Sequence, residues 1–287
     1  MKLLALLFLF LFLGQAGYSQ PITIPLTKAP KYKKPEPPKF DSKTPLYLDA
    51  RPLFEFSMGH LDKSQSIRFQ DYSETLDARI GLLDPGFGQT ATRLTSLGVH
   101  PSRVTYVLGD GRKGRGEEGR IAWMLLYLGI KDVRVFAFET FAGKRRFGDK
   151  TPTVQAPSWK PKIKTDLRIR IDELKPLVVV VQGQSVAVSL VDVRSLEEFK
   201  EGHLNGAVHI SWENFMDENG NPLTAEKVRE LLIKHQLSLD KPLIFYSDKG
   251  VRSAFATYVT HRAGLKARLF DGGLTEWRSD STLSLVK

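Results

Sequence analysis

The residues best suited to chemistry form one run late in the chain, Tyr246-Ser247-Asp248-Lys249-Gly250-Val251-Arg252-Ser253. An apolar stretch leads into it and a helix-forming stretch leads out. A turn between a strand end and a helix start gathers successive backbone N–H groups and the positive helix end on one spot. Gly250 lets the chain curl without a side-chain clash. Arg252 adds a planar fork suited to an oxyanion. Ser247, Asp248, Lys249, Gly250, Val251 and Arg252 are the expected anion-binding residues. A nucleophilic serine needs an adjacent base. Lys249 is the nearest by sequence, but the positive field of the loop should keep it protonated, so no catalytic residue is expected.

Other chemistries find less support. The chain contains no cysteine, which excludes thiol chemistry and disulfides. Its six histidines show no metal-ligand spacing, so neither a metal nor a cofactor is expected. A second turn, Gly109-Asp110-Gly111-Arg112-Lys113-Gly114-Arg115-Gly116, is rich in glycine and arginine and could cradle phosphate. It lacks the spacing of a P-loop and offers no nucleophile.

The elements that must position these turns alternate in type. Val186 to Val191 is a short β-branched run, read as a buried strand. Ser195 caps a helix running to Glu201, with Glu198 at the capping-box spacing. Val208 to Ile210 is a strand. Thr224 caps a helix running to His235, with Val228, Leu231 and Leu232 on one face. A strand over Leu243–Tyr246, a helix over Ser253–Ala263 and a strand over Arg268–Phe270 complete the pattern. Alternation of this kind implies α/β architecture, a mostly parallel sheet flanked by helices.

The pattern occurs twice. Asp49-Ala50-Arg51 with Gly59-His60-Leu61 answers Asp192-Val193-Arg194 with Gly202-His203-Leu204, at a constant offset of 143 residues. Val104–Val107 corresponds to Leu243–Tyr246, and Val133–Phe136 to Ala267–Phe270. Gly119 to Leu128 is the late helix of the first half. The Asp–Arg pairs read as structural bridges, His60 and His203 as ties between a helix end and the next turn, and Trp123 and Trp277 as core. The expected organisation is a signal peptide at 1–19, a linker at 20–44, a first domain at 45–145, a linker at 146–165 and a second domain at 166–287.

Asp192-Val193-Arg194, Gly202-His203-Leu204-Asn205-Gly206-Ala207, the Ser247 turn and Asp271-Gly272-Gly273-Leu274-Thr275-Glu276-Trp277 together resemble the rhodanese family in its tandem-domain form. The resemblance covers most of 166–280 and, more loosely, 45–140. It implies two tandem rhodanese-like domains, the first structural. The second would carry a loop where a cysteine takes sulfur from an anionic donor such as thiosulfate. Ser247 stands at that cysteine's place. The implied protein is a sulfurtransferase relative without sulfurtransferase activity, a pseudoenzyme.

The amino terminus adds a location. Lys2, the apolar run Leu3 to Leu13 and the small residues up to Ser19 read as a secretory signal, cleaved after Ala16 or Ser19, which places the mature chain outside the cell or in a periplasm. No later run is long enough to span a membrane. The stretch Pro21 to Thr44 holds six prolines and six lysines and reads as an extended spacer. Net charge is +10, concentrated in such linker stretches, and basic residues interleaved with aromatics are lacking, which argues against nucleic acid. The expected partner is a small oxyanion or another protein at the Ser247 loop, with peripheral contact to an anionic envelope surface a further use for the spacer. A sulfurtransferase-like or phosphatase-like enzyme using Ser247, or a structural envelope component, are the alternatives.

Overall fold

Short runs of β-branched and aromatic residues build two four-stranded parallel sheets. The first contains β1 (Leu46–Asp49), β3 (Gln65–Ser66), β4 (Thr105–Gly109) and β5 (Val133–Ala137), in the order β3-β1-β4-β5; β2 (His60–Leu61) and β6 (Arg145–Arg146) form a separate antiparallel pair. The second contains β7 (Ser189–Asp192), β8 (Ala207–His209), β9 (Leu243–Tyr246) and β10 (Ala267–Leu269), in the order β10-β9-β7-β8. Counted within each sheet, both run second, first, third, fourth. The sequence repeat is thus a repeat of topology, and the expected α/β class with flanking helices is the observed one. The computed structural model describes residues 40–76, 79–146, 155–178 and 188–287. The expected signal segment, most of the expected proline-rich spacer and the start of the expected strand at Val186 lie outside these residues.

Helices cover the sheets. In the first half these are α1 (Leu53–Met58), α2 (Phe87–Ser96) and α3 (Glu117–Tyr127). In the second they are α4 (Ile171–Val178), α5 (Leu196–Glu201), α6 (Ala225–Lys234), α7 (Val251–Arg262) and α8 (Gly273–Ser279). The capping box of α5 is complete: Ser195 Oγ accepts from Glu198 N, and the Glu198 carboxylate accepts from Ser195 N. Thr224 caps α6 through Lys227 N. The helix after the Ser247 turn starts at Val251, two residues earlier than its apolar pattern suggests, because Gly250 takes a left-handed conformation (φ 73°) and turns the chain directly into it.

Strand register moves one sequence correspondence by a residue. Asp49 pairs with Leu108, whereas Asp192 pairs with Tyr246. Thr105 to Leu108 is therefore the counterpart of Leu243 to Tyr246, and Gly109 is the counterpart of Ser247. Both apolar runs tolerate the shift, so only pairing with the neighbouring strand decides it.

The two halves share one interior. A single buried cluster runs from Leu48 and Trp123 in the first to Phe255, Tyr258 and Leu269 in the second. Helices α3 and α7 cross at its centre. A Cβ on Gly119 would lie 2.4 Å from Phe255 Cα, so glycine is what allows the approach. The Tyr258 hydroxyl donates to Val133 O at 3.0 Å and accepts from Val135 N at 3.1 Å, fastening α7 to β5. Within 146–165, read as a linker, residues 155–164 have no regular secondary structure yet are held firmly. Ala156 N donates to Thr95 O, Trp159 Nε1 to Val99 O, and Lys162 N to Leu128 O, each at 3.0 Å. The described residues accordingly belong to one compact unit. No helix among the described residues is long and apolar enough to cross a membrane.

Candidate functional site

The Ser247 turn leaves the carboxyl end of β9, the edge at which open α/β sheets bind ligands. Three close backbone approaches shape it. A Cβ on Gly250 would meet Asp271 O at 2.1 Å, one on Gly273 would meet Ser247 O at 2.3 Å, and one on Gly81 would meet Lys249 O at 2.5 Å. Leu274 N and Thr275 N donate to Ser247 O and Asp248 O. Gly81 belongs to the first half, so that half buttresses the loop of the second.

Asp271 ties these pieces together. Its buried carboxylate accepts from Leu83 N at 2.9 Å and from Arg168 through Nε and Nη2, both at 2.8 Å. Arg120, also buried, stands 3.9 Å away and donates to Gly81 O at 2.5 Å. Burial pushes the Arg120 guanidinium down to about 10. It remains charged at neutral pH, and Asp271 is its counter-ion.

The expected anion-binding residues differ in how free they are; Gly250 shapes the turn, and Val251 lines the cleft over it. Ser247 is 1% exposed, and its hydroxyl lies 3.1 Å from the hydroxyl of Ser253, which is also buried. Among the described residues, neither Lys249 nor any other base is bonded to it. Arg252 reaches across to α5 and binds Glu198 with two short bonds, 2.6 and 2.8 Å. That pairing holds the Glu198 carboxyl down at about 2. The guanidinium fork is thus already filled by a carboxylate of this chain. Asp248 is bonded to Arg278 at 3.2 Å. Lys249 is exposed, and its side chain has no partner among the described residues.

A cleft of about 560 Å3 opens over the turn. Its walls come from both halves: Phe69, Gln70, Gly114, Arg115 and Glu117 on one side, Trp212, Glu213 and the Ser247 turn on the other. Arg115 is exposed there and, like Lys249, lacks a side-chain partner among the described residues. It belongs to the first glycine-rich turn and would have to be found from the fold, because nothing in the sequence brings the two turns together.

Position by position, the first-half turn differs from the second. Arg112 is a clasp, donating to Asp217 O at 2.9 Å and Met216 O at 3.1 Å. Gly116, left-handed like Gly250, precedes α3, so Glu118 stands where Arg252 stands in α7. Glu118 is buried, and neither carboxyl oxygen has a hydrogen-bond partner. It fills the space above Gly109, where a Cβ would come within 2.4 Å of its carboxyl carbon. Burial pushes its carboxyl up to about 8, so it is protonated at neutral pH.

The bridges read from sequence are present. Arg51 Nη2 bonds Asp49 at 2.8 Å, and Arg194 Nη2 bonds Asp192 at 2.7 Å. His60 and His203 each bond, through Nδ1, the carbonyl four residues back at 3.0 Å, and each stacks on its phenylalanine. Trp123 and Trp277 are core. Among the described residues, no group of three or more acids or histidines is placed to hold a metal ion.

Two parallel sheets joined across a common core, with a turn from each converging on one cleft, define an α/β protein in which one strand order occurs twice. Comparison with known proteins narrows this. The family model "Rhodanese-like domain" matches residues 177–280. A candidate thiosulfate sulfurtransferase of Haloferax volcanii is 32% identical over 105 residues, which cover 31% of this chain and 37% of that protein. The candidate thiosulfate sulfurtransferase SseA of Mycobacterium tuberculosis is 28% identical over 219 residues, covering 69% of this chain and 71% of the other. Among solved structures, YnjE shares the fold with a TM-score of 0.70 at 20% identity, over 85% of this chain and 62% of its own.

Proposed function

We propose that this chain is an exported, rhodanese-like protein that has lost sulfurtransferase chemistry and uses the Ser247 cleft to bind a small anion or a partner's acidic group. The observation that carries this reading is the pairing of Ser247 with Ser253. At the place where the resemblance puts a sulfur-accepting thiolate, two buried hydroxyls face each other at 3.1 Å with no base bonded to either. A serine hydroxyl is a far weaker acid than a thiol and forms no persulfide.

The cations available to an anion are Lys249 and Arg115. They come from opposite walls, are exposed, and are free of partners among the described residues. Arg252 acts differently: an anion reaching its fork must compete with Glu198, whose two charge-assisted bonds are short. Binding of sulfate or thiosulfate should therefore weaken at least several-fold in Lys249→Ala and in Arg115→Ala.

The test of the reading is thiosulfate-to-cyanide sulfur transfer by the natural chain and by Ser247→Cys. The natural chain should be inactive, and the variant should gain turnover if the loop keeps its cradle. Turnover by the natural chain above background overturns the proposal and favours a Ser247-dependent enzyme.

A further inference from the structure

The carboxyl edge of the first sheet carries a surface that the Ser247 cleft does not use. Helix α1 presents Leu53, Phe54 and Met58 to solvent, 55%, 75% and 60% exposed. Its Glu55 is half-exposed and within hydrogen-bonding reach of Asp110, which follows β4. Residues three and four apart are neighbours on a helix, so Phe54, Glu55 and Met58 form one patch. None of these residues lines the cleft.

The second half, with the same strand order, shows how this place is filled there. Helix α5 is the counterpart of α1, which makes Glu198 the counterpart of Glu55. Glu198 is neutralised by a bidentate guanidinium, that of Arg252. In the first half, Glu118 takes the position of Arg252 and turns inward over Gly109, so the cation is missing. Arg51 does not replace it: its guanidinium is spent on Asp49 and Gly59 O, lies over the Phe138 ring, and comes only within 4.0 Å of Glu55. The counterparts of Phe54 and Met58 are exposed glutamates, Glu197 and Glu201. The first half therefore lacks the guanidinium that the second half places on this glutamate, and it carries Phe54 and Met58 where the second half has glutamates.

From this we infer that the α1 face docks a peptide segment of a partner protein that supplies the missing guanidinium to Glu55 and Asp110 and covers Leu53, Phe54 and Met58 with apolar side chains. Charge complementarity selects the occupant. An apolar surface alone would suit lipid, but a carboxyl pair at its centre disfavours an anionic membrane and calls for a fixed cation. The groups acting on Asp110 are Glu55 from α1, Asp49 at the end of β1, Arg51 just after it, and Glu118 from α3. Burial and then Glu55 push the Asp110 carboxyl up to about 7, so near neutral pH the pair holds a proton that a bound guanidinium expels. Binding tightens as pH rises through about 7, the reverse of what a site for a neutral apolar segment would show.

The test is selection of a random linear peptide library on the natural chain, with counter-selection on the double variant Phe54→Glu, Met58→Glu, which copies the second half. The altered side chains are exposed, so the variant should unfold at the same temperature as the natural chain. Selected peptides should carry an arginine flanked by apolar residues. They should lose affinity at least ten-fold when the arginine is replaced by citrulline, and likewise on Glu55→Gln. Failure of any peptide to enrich, enrichment of peptides without a cation, or equal binding to the double variant overturns the inference. So does adsorption to phosphatidylglycerol vesicles, or dimerisation of the chain, that the double variant abolishes. None of these outcomes bears on the Ser247 cleft, whose assays are separate.

Discussion

At matching places in the two halves stand a glutamate and an arginine, and the contrast shows how much one side chain decides. Arg252 points outward and is neutralised by Glu198; Glu118 points inward and is neutralised by a proton. The inward carboxyl gives a clear pH expectation. Its pKa is about 8 in the folded chain against 4.5 unfolded, so the folded state holds the extra proton between those values. Stability is then full below about pH 4.5, falls as pH rises, and levels off above about pH 8. Glu118→Gln keeps the shape without the ionisation. Urea unfolding should show the natural chain losing on the order of 4 kcal/mol between about pH 5 and pH 8.5, with the variant losing much less over the same range. Equal pH dependence in the two proteins would mean that Glu118 is hydrated in solution. The sequence marks Glu118 only as an acid in a first helical turn, an ordinary surface place. Its burial follows from Gly109, nine positions earlier and on another element, leaving room for it.

Among the elements, the α3 and α7 crossing is where the halves are joined most tightly. Gly119→Ala in an isolated helix would gain about 1 kcal/mol in propensity. Here the added Cβ meets Phe255 Cα, a backbone atom that no rotamer change can move. Overpacking of that kind costs roughly 1–3 kcal/mol or more, so the clash should win, with a net loss near 2 kcal/mol. Gly88→Ala in α2 is the control. Its Cβ would meet nothing within 4 Å, and the change should stabilise by a few tenths of a kcal/mol, about 0.5. Thermal unfolding of both variants checks the pair of signs. Element types were legible from periodicity and caps, as Ser195 with Glu198 shows. The α3 pattern of Trp123, Leu125 and Leu126 signals only that the helix is apolar all round, and could not say that its partner would be α7.

For the whole molecule, one shared core predicts one unfolding event. Calorimetry should give a single transition for both halves, because either half alone would expose the apolar faces of α3 or α7. Asp271→Asn tests the charged part of that junction. It leaves Arg168 and Arg120 buried without their counter-ion and should cost about 3 kcal/mol, with the single transition kept at a lower temperature. Two separate transitions in the natural chain would show that the halves are independent domains. Residues 155–164, proline-rich and basic, read as linker from composition, yet their backbone is bonded along the first half. Composition reports the lack of a periodic face; it does not report whether backbone groups find partners elsewhere.

By itself the sequence determined the α/β class, the repeated strand pattern, the Asp–Arg bridges and the turn carrying Ser247. Each of these depends on local spacing: a capping distance, a strand period, a glycine before a helix. Tertiary structure alone decided that Arg252 is occupied by Glu198, that Arg115 faces Lys249 across a cleft, that Gly109 matches Ser247, and that α1 keeps an apolar and acidic face unfilled. These depend on which distant segments meet. Charge pairing and burial act through space, and the chain order of their partners leaves no periodic trace.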